Sequence, residues 1–299
     1  PTREPRLLVT IATYNEAGNI AALIADIHKV VPHADVLVID DNSPDGTGRI
    51  AAALGETDPR VHVLHRPGKL GLGTATLAAM KFAMARGYDY LLNMDADFSH
   101  PPRYLPGILA GMSTNDVMIG SRYVRGGGTE NWPLARRAIS QSVNMLVRFL
   151  FRMPVKDASG AFRCYRVATL RAAELDRVRS RGYSFQQEVL FRCFKAGAKM
   201  GEFPILFENR RAGVSKVNKK EAVRSISMIL YIGLRNVFVR TPWQRTYIVV
   251  LSTFLVTLGE SFIIDTDHWR HFFLLLGTVW GLSAATFAAK RGSRAVAPR

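Results

Sequence analysis

Short apolar runs alternate along the first hundred residues with segments whose apolar residues follow helical spacing. Four of these runs have the length of β-strands: RLLVTIATY (6–14), ADVLVIDD (34–41), RVHVLHR (60–66) and YDYLLNMDAD (88–97). Three segments between them predict helices: 15–31, 49–56 and 69–87. Asn15 is the predicted N-cap of the first helix, since an asparagine side chain accepts hydrogen bonds from free backbone N–H groups. Continuously apolar runs separated by helices predict a mostly parallel α/β sheet.

Acidic residues follow two of the predicted strands. Asp40 and Asp41 end the second run, and Asp95 and Asp97 end the fourth. Ligands of parallel sheets bind beside the carboxyl ends of the strands. Two carboxylates one residue apart repel each other, and hard oxygen ligands of this kind suit Mg²⁺ or Mn²⁺ held together with phosphate groups. Taken alone, the Asp95–Asp97 pair is explained equally well as two exposed turn residues.

Several common site types are not supported by the sequence. The first predicted strand is followed by TYNEAGN (13–19) rather than by G-x-G-x-x-G, which argues against NAD or FAD. Cys164 and Cys193 have no metal-ligand spacing, so they are predicted to be buried free thiols. The N-terminal segment PTREPR carries no signal-peptide pattern.

The basic residues are concentrated in the second part of the chain. Residues 1–120 hold 10 Lys/Arg and 13 Asp/Glu, whereas residues 121–299 hold 30 and 11, a net charge of +19. Such a charge suggests a polyanionic partner, either nucleic acid or an anionic membrane surface. The segments at 134–153 and 219–240 have the pattern of basic amphipathic helices, which favours the membrane over nucleic acid.

Two long apolar runs near the C-terminus predict a transmembrane hairpin. Residues 246–264 contain one charge and residues 272–289 contain none, which is close to the length of a bilayer span. Basic residues flank the pair on both sides, so both ends are expected in the cytoplasm. The alternative is a pair of buried helices in a soluble core. The predicted organisation is a catalytic domain at 1–218, an interface helix at 219–242, and the hairpin with a basic tail at 243–299.

Eight motifs in sequence order resemble those of one enzyme family. They are TYNEAGNI, VIDDNSPDGTG, KLGLGTA, MDADFSHPP, IGSRYVRGG, ASGAFRCY, GYSFQQE and NRRAGVSK. Together they resemble family 2 glycosyltransferases of the GT-A fold, and within that family the polyprenol-phosphate or dolichol-phosphate mannose synthase group. The resemblance covers about residues 6–240 and implies a Rossmann-like, mostly parallel sheet with flanking helices.

The resemblance also implies a reaction and its partners. Mannose from GDP-mannose would be transferred to a polyprenyl or dolichyl monophosphate with inversion, at the cytoplasmic side of a membrane and with Mg²⁺ or Mn²⁺. Two alternatives remain open: a glucosyltransferase that uses UDP-glucose and the same lipid, and a nucleic-acid-binding or membrane-binding protein without catalysis. The intact acids and arginines favour an enzyme over a protein without catalysis. No nucleic-acid partner is expected, because the basic segments are amphipathic and precede the long apolar runs. The oligomeric state, the metal and the lipid length stay open.

Site residues follow from the resemblance, position by position. The donor-binding set is Ala12, Tyr14, Glu16, Ile39, Asp41, Asp95, Ala96, Asp97, Arg122, Arg210 and Lys216. The metal ligands would be Asp97, Asp95 and Ser99, and the catalytic set Asp97, Arg122, Arg136 and Ser140. The family usually has proline where this chain has Ala12. Arg211 is the alternative to Arg210.

Arg122, Arg136 and Ser140 are expected to bind the acceptor phosphate. Arg136 and Ser140 lie four residues apart, hence on one helix face. A phosphate monoester is already ionised at neutral pH, so it needs orientation and desolvation rather than a general base. Glu188, which resembles the base of other family members, is therefore expected to orient the sugar or a neighbouring arginine.

Overall fold

The structure, a computed structural model, describes residues 3–180, 182, 184–208 and 225–233. The chain divides into two compact units, Pro1–Lys216 and Val217–Arg299. In the second unit, the described residues 225–233 are helical. Within the described part of the chain, no helix is both long and apolar enough to cross a membrane. The predicted hairpin at 246–264 and 272–289 and the loop residues Arg210, Arg211 and Lys216 lie outside the described residues.

The first unit is built on β-strands from two sheets. The strands are β1 Leu7–Thr13, β2 Asp35–Asp40, β3 Val61–His65, β4 Tyr90–Asp95, β5 Val117–Ser121, β6 Gly128–Thr129, β7 Arg163–Arg166, β8 Met200–Pro204 and β9 Leu206–Phe207. Seven of them form one sheet in the order β3-β2-β1-β4-β7-β5-β8, and β6 pairs with β9. β7 is antiparallel to both of its neighbours, while the other pairs are parallel. The mostly parallel sheet predicted from the sequence is confirmed.

Helices flank this sheet. They are α1 Ile20–Val30, α2 Thr47–Thr57, α3 Leu72–Ala85, α4 Leu105–Gly111, α5 Leu134–Phe151, α6 Val167–Ala172 and α7 Phe185–Lys195. Single 3₁₀ turns occupy Pro102–Tyr104 and Leu175–Arg177. The four predicted strands and three predicted helices of the first hundred residues are all present, and α5 matches the predicted amphipathic helix near 134–153.

The first helix begins later than predicted. Asn15 is not its N-cap: the helix starts at Ile20, and Asn19 occupies the capping position. Asn15 instead adopts a left-handed conformation with φ 62°, which asparagine tolerates better than most residues, and its N–H donates to Ser43 Oγ at 3.1 Å. Residues 14–18 therefore form a loop over the end of β2, and this loop carries Tyr14 and Glu16.

The strand register aligns the carboxyl ends of the central strands. β1, β2 and β4 are buried along most of their length, as their continuous apolar sequences predict. Ala12 of β1 lies opposite Ile39 of β2 on one side and opposite Asp95 of β4 on the other. Three residues of the predicted donor site, distant in sequence, are therefore neighbours at one edge of the sheet.

Candidate active site

The loop after β1 lies at this edge together with the glycine loop before α3. The Tyr14 ring has the Lys69 ammonium group 4.7 Å from its centroid, a cation–π contact. Glu16 accepts a hydrogen bond from the Asn19 side chain at 2.8 Å, and its own N–H donates to Thr47 Oγ1 at 2.8 Å. Tyr14 and Glu16 are therefore held beside the strand ends, and their role in donor binding stays a prediction.

The two acids after β2 have different surroundings. Asp40 belongs to a turn, because it accepts hydrogen bonds from the hydroxyls of Ser43 at 2.5 Å and Thr13 at 3.1 Å. Asp41 instead forms an ion pair with Arg66, with 3.0 Å between Oδ1 and Nε. Burial raises the pKa of Asp41, and the positive charge of Arg66 opposes that rise. Arg66 is a neighbour of Asp41 that the sequence reasoning missed, and the role of Asp41 in donor binding stays a prediction.

Asp95 and Asp97 occupy the end of β4 and the turn that follows. Asp97 is 5% exposed, and its Oδ1 accepts hydrogen bonds from the Ser99 N–H at 3.1 Å and the Ser99 hydroxyl at 2.5 Å. The Asp95 side chain is 32% exposed, with Oδ2 3.8 Å from His100 Nδ1. That same ring nitrogen accepts the Asp95 N–H at 3.0 Å. Burial lowers the pKa of His100, which favours the neutral ring that this contact needs.

This acid pair fits a divalent metal bound together with a diphosphate. No group of three or more His, Cys, Asp or Glu side chains able to hold a metal occurs within the residues the structure describes. Two carboxylates leave most of the coordination sphere of Mg²⁺ or Mn²⁺ to phosphate oxygens and water, which is how such ions are held in phosphate sites. The Ser99 hydroxyl orients Asp97 in this structure, and its assignment as a metal ligand stays a prediction.

Arg122 forms a buried ion pair with Asp157. The distances are 2.7 Å from Nε to Oδ2 and 2.8 Å from Nη2 to Oδ1, and the side chains are 8% and 0% exposed. Burial by itself would lower the pKa of Arg122 and raise that of Asp157. Their mutual attraction and hydrogen bonds outweigh burial, so the pKa of Arg122 is raised and that of Asp157 is lowered. Both groups are charged at neutral pH, and Arg122 has a fixed orientation.

Backbone groups and a second arginine surround Asp157. Its carboxylate accepts the N–H of Arg122 at 3.1 Å and that of Gly160 at 3.0 Å. Arg163 of β7, which is fully buried, lowers the pKa of Asp157 further. It also donates to the carbonyls of Ala158 and Gln186, both at 2.6 Å. Sequence reasoning missed Asp157, although it directly precedes the ASGAFRCY motif.

Hydrogen bonds connect Arg122 to helix α5. Arg122 Nη2 donates to Ser159 Oγ at 2.8 Å, and the buried Asn144 of α5 donates to the same oxygen at 3.0 Å. The side-chain oxygen Oδ1 of Asn144 accepts the Ala158 N–H at 2.8 Å. Tyr123 then donates to the Ser140 hydroxyl at 2.6 Å. The structure therefore brings together Arg122 and Ser140, two of the predicted acceptor residues.

Trp132 connects Arg122 to the third predicted acceptor residue, Arg136. The guanidinium carbon of Arg136 lies 3.9 Å from the Trp132 ring, and that of Arg122 lies 5.5 Å from it. The Phe207 ring meets Trp132 edge-on at 5.4 Å and also meets His100 at 5.4 Å. We call Trp132, Phe207 and His100 the aromatic wall. It runs from the two arginines to the turn that carries Asp95 and Asp97.

Glu188 and the two cysteines are also buried. Glu188 is 3% exposed and accepts hydrogen bonds from the Ser180 N–H at 2.8 Å and from Arg192 Nε at 3.2 Å. It therefore orients a neighbouring arginine, one of the two roles predicted for it. Cys164 and Cys193 are buried free thiols, as predicted.

Comparisons with known proteins agree on the family. Residues 8–176 match glycosyl transferase family 2. An undecaprenyl-phosphate mannosyltransferase from Micrococcus luteus is 44% identical over 213 residues, which cover 71% of this chain and 88% of the relative. A polyprenol monophosphomannose synthase from Mycolicibacterium smegmatis is 40% identical over 232 residues, which cover 77% and 88%.

Solved structures show the same architecture. Glucosyl-3-phosphoglycerate synthase from Mycobacterium tuberculosis, in complex with Mn²⁺, UDP and glucosyl-3-phosphoglycerate, has a TM-score of 0.55 at 17% identity and covers 78% of this chain and 79% of its own. The fold and the site thus define a glycosyltransferase of the GT-A type. The chain belongs to glycosyl transferase family 2.

The Arg122–Asp157 pair predicts a specific stability loss. Asp157→Asn leaves Arg122 buried without its counter-charge, so we expect the free energy of unfolding to fall by about 3–5 kcal/mol at pH 7. The matched control is Asp176→Asn, which breaks the exposed pair with Lys81 and should cost at most about 1 kcal/mol. Urea denaturation of the full-length chain measures both changes.

The same substitution predicts a pH dependence. The pKa of Asp157 is lowered in the folded chain, so its stabilisation is complete above the ordinary carboxyl pKa of about 4 and is lost as the pH falls below it. The stability difference between the wild type and Asp157→Asn should therefore be constant from pH 5 to 7 and shrink below pH 4. Equal stabilities of Asp157→Asn and Asp176→Asn at pH 7 would contradict this account of the pair.

Proposed function

We propose that this protein transfers mannose from GDP-mannose to a polyprenyl monophosphate at the cytoplasmic face of a membrane. Two relatives at 44% and 40% identity carry the names of polyprenyl-phosphate mannose enzymes. The observation that carries the proposal is the arrangement of the site. An acid pair at the end of β4 lies at one end of the aromatic wall, and a cluster of Arg122, Arg136 and Ser140 lies at the other.

The donor half of the proposed site is the sheet edge. Tyr14, Glu16 and Asp41 would bind the nucleoside, with Ala12, Ile39 and Ala96 lining the same edge. Asp95 and Asp97 would hold the diphosphate through Mg²⁺ or Mn²⁺, which neutralises the negative charge that develops on the leaving group. Support for a metal comes from the solved structure with the same fold, which contains Mn²⁺ and UDP. Arg210 and Lys216 are expected to complete this half.

The acceptor half needs cations rather than a base. An oxygen of the lipid phosphate would attack the anomeric carbon of mannose as the bond from that carbon to the diphosphate breaks, which inverts the configuration. The electron pair of the broken bond leaves on GDP. No proton has to be removed, because the phosphate is already ionised. Arg122, oriented by Asp157, and Arg136, stacked on Trp132, would hold the nucleophile in line.

Helix α5 supports the membrane part of the proposal. Large apolar side chains are exposed along it: Leu134 is 80% exposed, Ile139 66%, Met145 62% and Phe149 81%. Arginines lie between them, at 136, 137 and 148. An exposed apolar stripe interleaved with arginine suits the surface of an anionic bilayer. Arg136 and Ser140 would then meet the lipid phosphate without requiring the lipid to leave the membrane. The apolar runs 246–264 and 272–289 are the proposed anchor.

The function is tested by transfer of radiolabel into lipid. The full-length chain in detergent is incubated with polyprenyl phosphate and labelled GDP-mannose, UDP-glucose or UDP-N-acetylglucosamine, and the organic phase is counted. We expect label from GDP-mannose alone, and only in the presence of the lipid phosphate. Label from UDP-glucose instead would establish the glucosyltransferase alternative, and no transfer from any donor would refute the proposed function.

The acid pair predicts the effect of removing Asp97. Asp97→Ala should lower transfer by about 100-fold or more, because the negative charge of the leaving diphosphate is no longer neutralised. Binding of GDP-mannose should lose its dependence on Mn²⁺ in calorimetry. Asp26→Ala, which removes an exposed carboxylate paired with Lys29, is the control and should match the wild type. Near-normal turnover of Asp97→Ala would rule out this residue as a metal ligand.

Substitution of Arg136 should affect the acceptor without affecting the donor. Arg136→Ala should raise the KM for polyprenyl phosphate about tenfold and leave the affinity for GDP-mannose unchanged, since the donor residues lie on the sheet edge. Arg136→Lys should restore only part of the loss, because a single ammonium group lacks the guanidinium fork. Arg137→Ala is the matched control, since Arg137 is the adjacent arginine of α5 and donates to the Thr129 carbonyl. If Arg136→Ala loses donor affinity instead, the proposed division of the site is wrong.

The membrane assignment predicts the behaviour of a shortened chain. The full-length chain should need detergent for extraction, whereas a chain ending at Arg240 should be released far more readily. The shortened chain should still float with anionic vesicles, and the double substitution Met145→Glu, Phe149→Glu should abolish that binding. Leu72→Glu is the control, because Leu72 is an exposed leucine outside α5. Full-length chain that stays soluble without detergent would exclude the anchor.

A further inference from the structure

The Trp132 ring contacts two arginines that come from different parts of the chain. Arg122 follows β5, whereas Arg136 lies in the first turn of α5. Their guanidinium carbons are 5.5 Å and 3.9 Å from the Trp132 ring. We infer that Trp132 is a positioning residue for the acceptor: its indole ring holds the two guanidinium groups at a fixed separation that suits one phosphate monoester. This inference rests on the proposed function.

The two arginines would otherwise repel each other. Asp157 compensates the charge of Arg122 through its bidentate ion pair. The guanidinium carbon of Arg136 lies 3.9 Å from the centroid of the Trp132 ring, so the ring face is one of the contacts that position its charge. The negative face of an indole attracts a cation, and more strongly where water is excluded. Trp132 is 8% exposed, so its ring offers such a low-dielectric surface to both arginines.

Ring contacts, rather than the indole N–H, determine where Trp132 lies. The Nε1 atom is buried and has no hydrogen-bond partner among the residues the structure describes. A buried donor without a partner is unfavourable, so other contacts must outweigh that cost. They are the two guanidinium groups and the edge of Phe207, 5.4 Å away. The indole position is thus set by groups that also form the candidate site.

A purely structural role for Trp132 makes a different prediction. If the ring only anchored the start of α5, its loss would lower the free energy of unfolding and would impair the kinetics with the donor and with the acceptor alike. If it positions the arginines, its loss should change the KM for the acceptor and leave the KM for the donor unchanged. The chemistry of the replacement should matter as well, because an aromatic ring retains the cation–π contact and an aliphatic side chain of similar size does not.

The experiment compares Trp132→Phe with Trp132→Met in the full-length chain in mixed micelles. Initial rates are measured against the mole fraction of polyprenyl phosphate and against GDP-mannose. We expect the acceptor KM to rise about threefold for Trp132→Phe and about tenfold for Trp132→Met, because only phenylalanine keeps a ring face for the two cations. The donor KM should stay within about twofold of the wild-type value in both variants.

A matched control separates positioning from packing. Phe151→Leu removes a buried ring from the other end of α5, where Phe151 packs on Phe191 at 4.5 Å and away from the two arginines. It should lower the thermal midpoint and leave the acceptor KM unchanged. Equal acceptor KM values for Trp132→Phe and Trp132→Met, or a parallel rise of the donor KM, would overturn the inference. Absence of transfer by the wild-type chain would instead refute the proposed function, so the two failures are distinguishable.

Discussion

The buried ion pair of Arg122 and Asp157 is the interaction on which the candidate active site depends. The two side chains are only 8% and 0% exposed, so each needs the charge of the other, and the pair connects the end of β5 to the loop that precedes β7. Ser159 and Asn144 extend the pair to α5 by hydrogen bonds. The charge pair is thus connected by hydrogen bonds to the helix that carries Ser140 and Arg136.

The second constraint is the aromatic wall that connects the two halves of the site. His100 contacts the backbone of Asp95, and Phe207 packs on both His100 and Trp132. Aromatic rings are rigid and closely packed in edge-on contact, so the position of one ring restricts the position of its neighbour. The separation between the acids and the arginines is therefore set by side chains that carry no charge. In a group-transfer reaction, misplacing the reacting groups by one ångström lowers the rate strongly, so a fixed spacing between the two halves of the site favours transfer.

Charge is divided between the parts of the chain in a way that matches the proposed reaction. The first 120 residues have more acids than bases, whereas the remainder carries a net charge of +19. A lipid phosphate and a leaving diphosphate are both anionic, and an anionic bilayer attracts the same basic segments. Helix α5 carries both exposed apolar side chains and arginines. The proposed contact with the bilayer and the proposed binding of the lipid phosphate would thus use a single element.

Much of this architecture is determined by the sequence alone. The apolar runs specify β1, β2, β3 and β4, because buried parallel strands have no polar face, and the acids that end two of them mark the edge where ligands bind. The amphipathic pattern of α5 is equally local. Both features depend on neighbouring residues only, so they can be read without knowing the fold.

Only the tertiary structure decided which side chains meet. Asp157 pairs with Arg122 across 35 residues, and Arg66 pairs with Asp41 from the next strand. Trp132 contacts two arginines of different elements, and the Asn15 N–H donates to Ser43 in a loop that ends before α1 begins. No local pattern predicts these contacts. The Arg122–Asp157 contact follows from the strand order, because the antiparallel insertion of β7 between β4 and β5 brings the loop before β7 to the carboxyl end of β5.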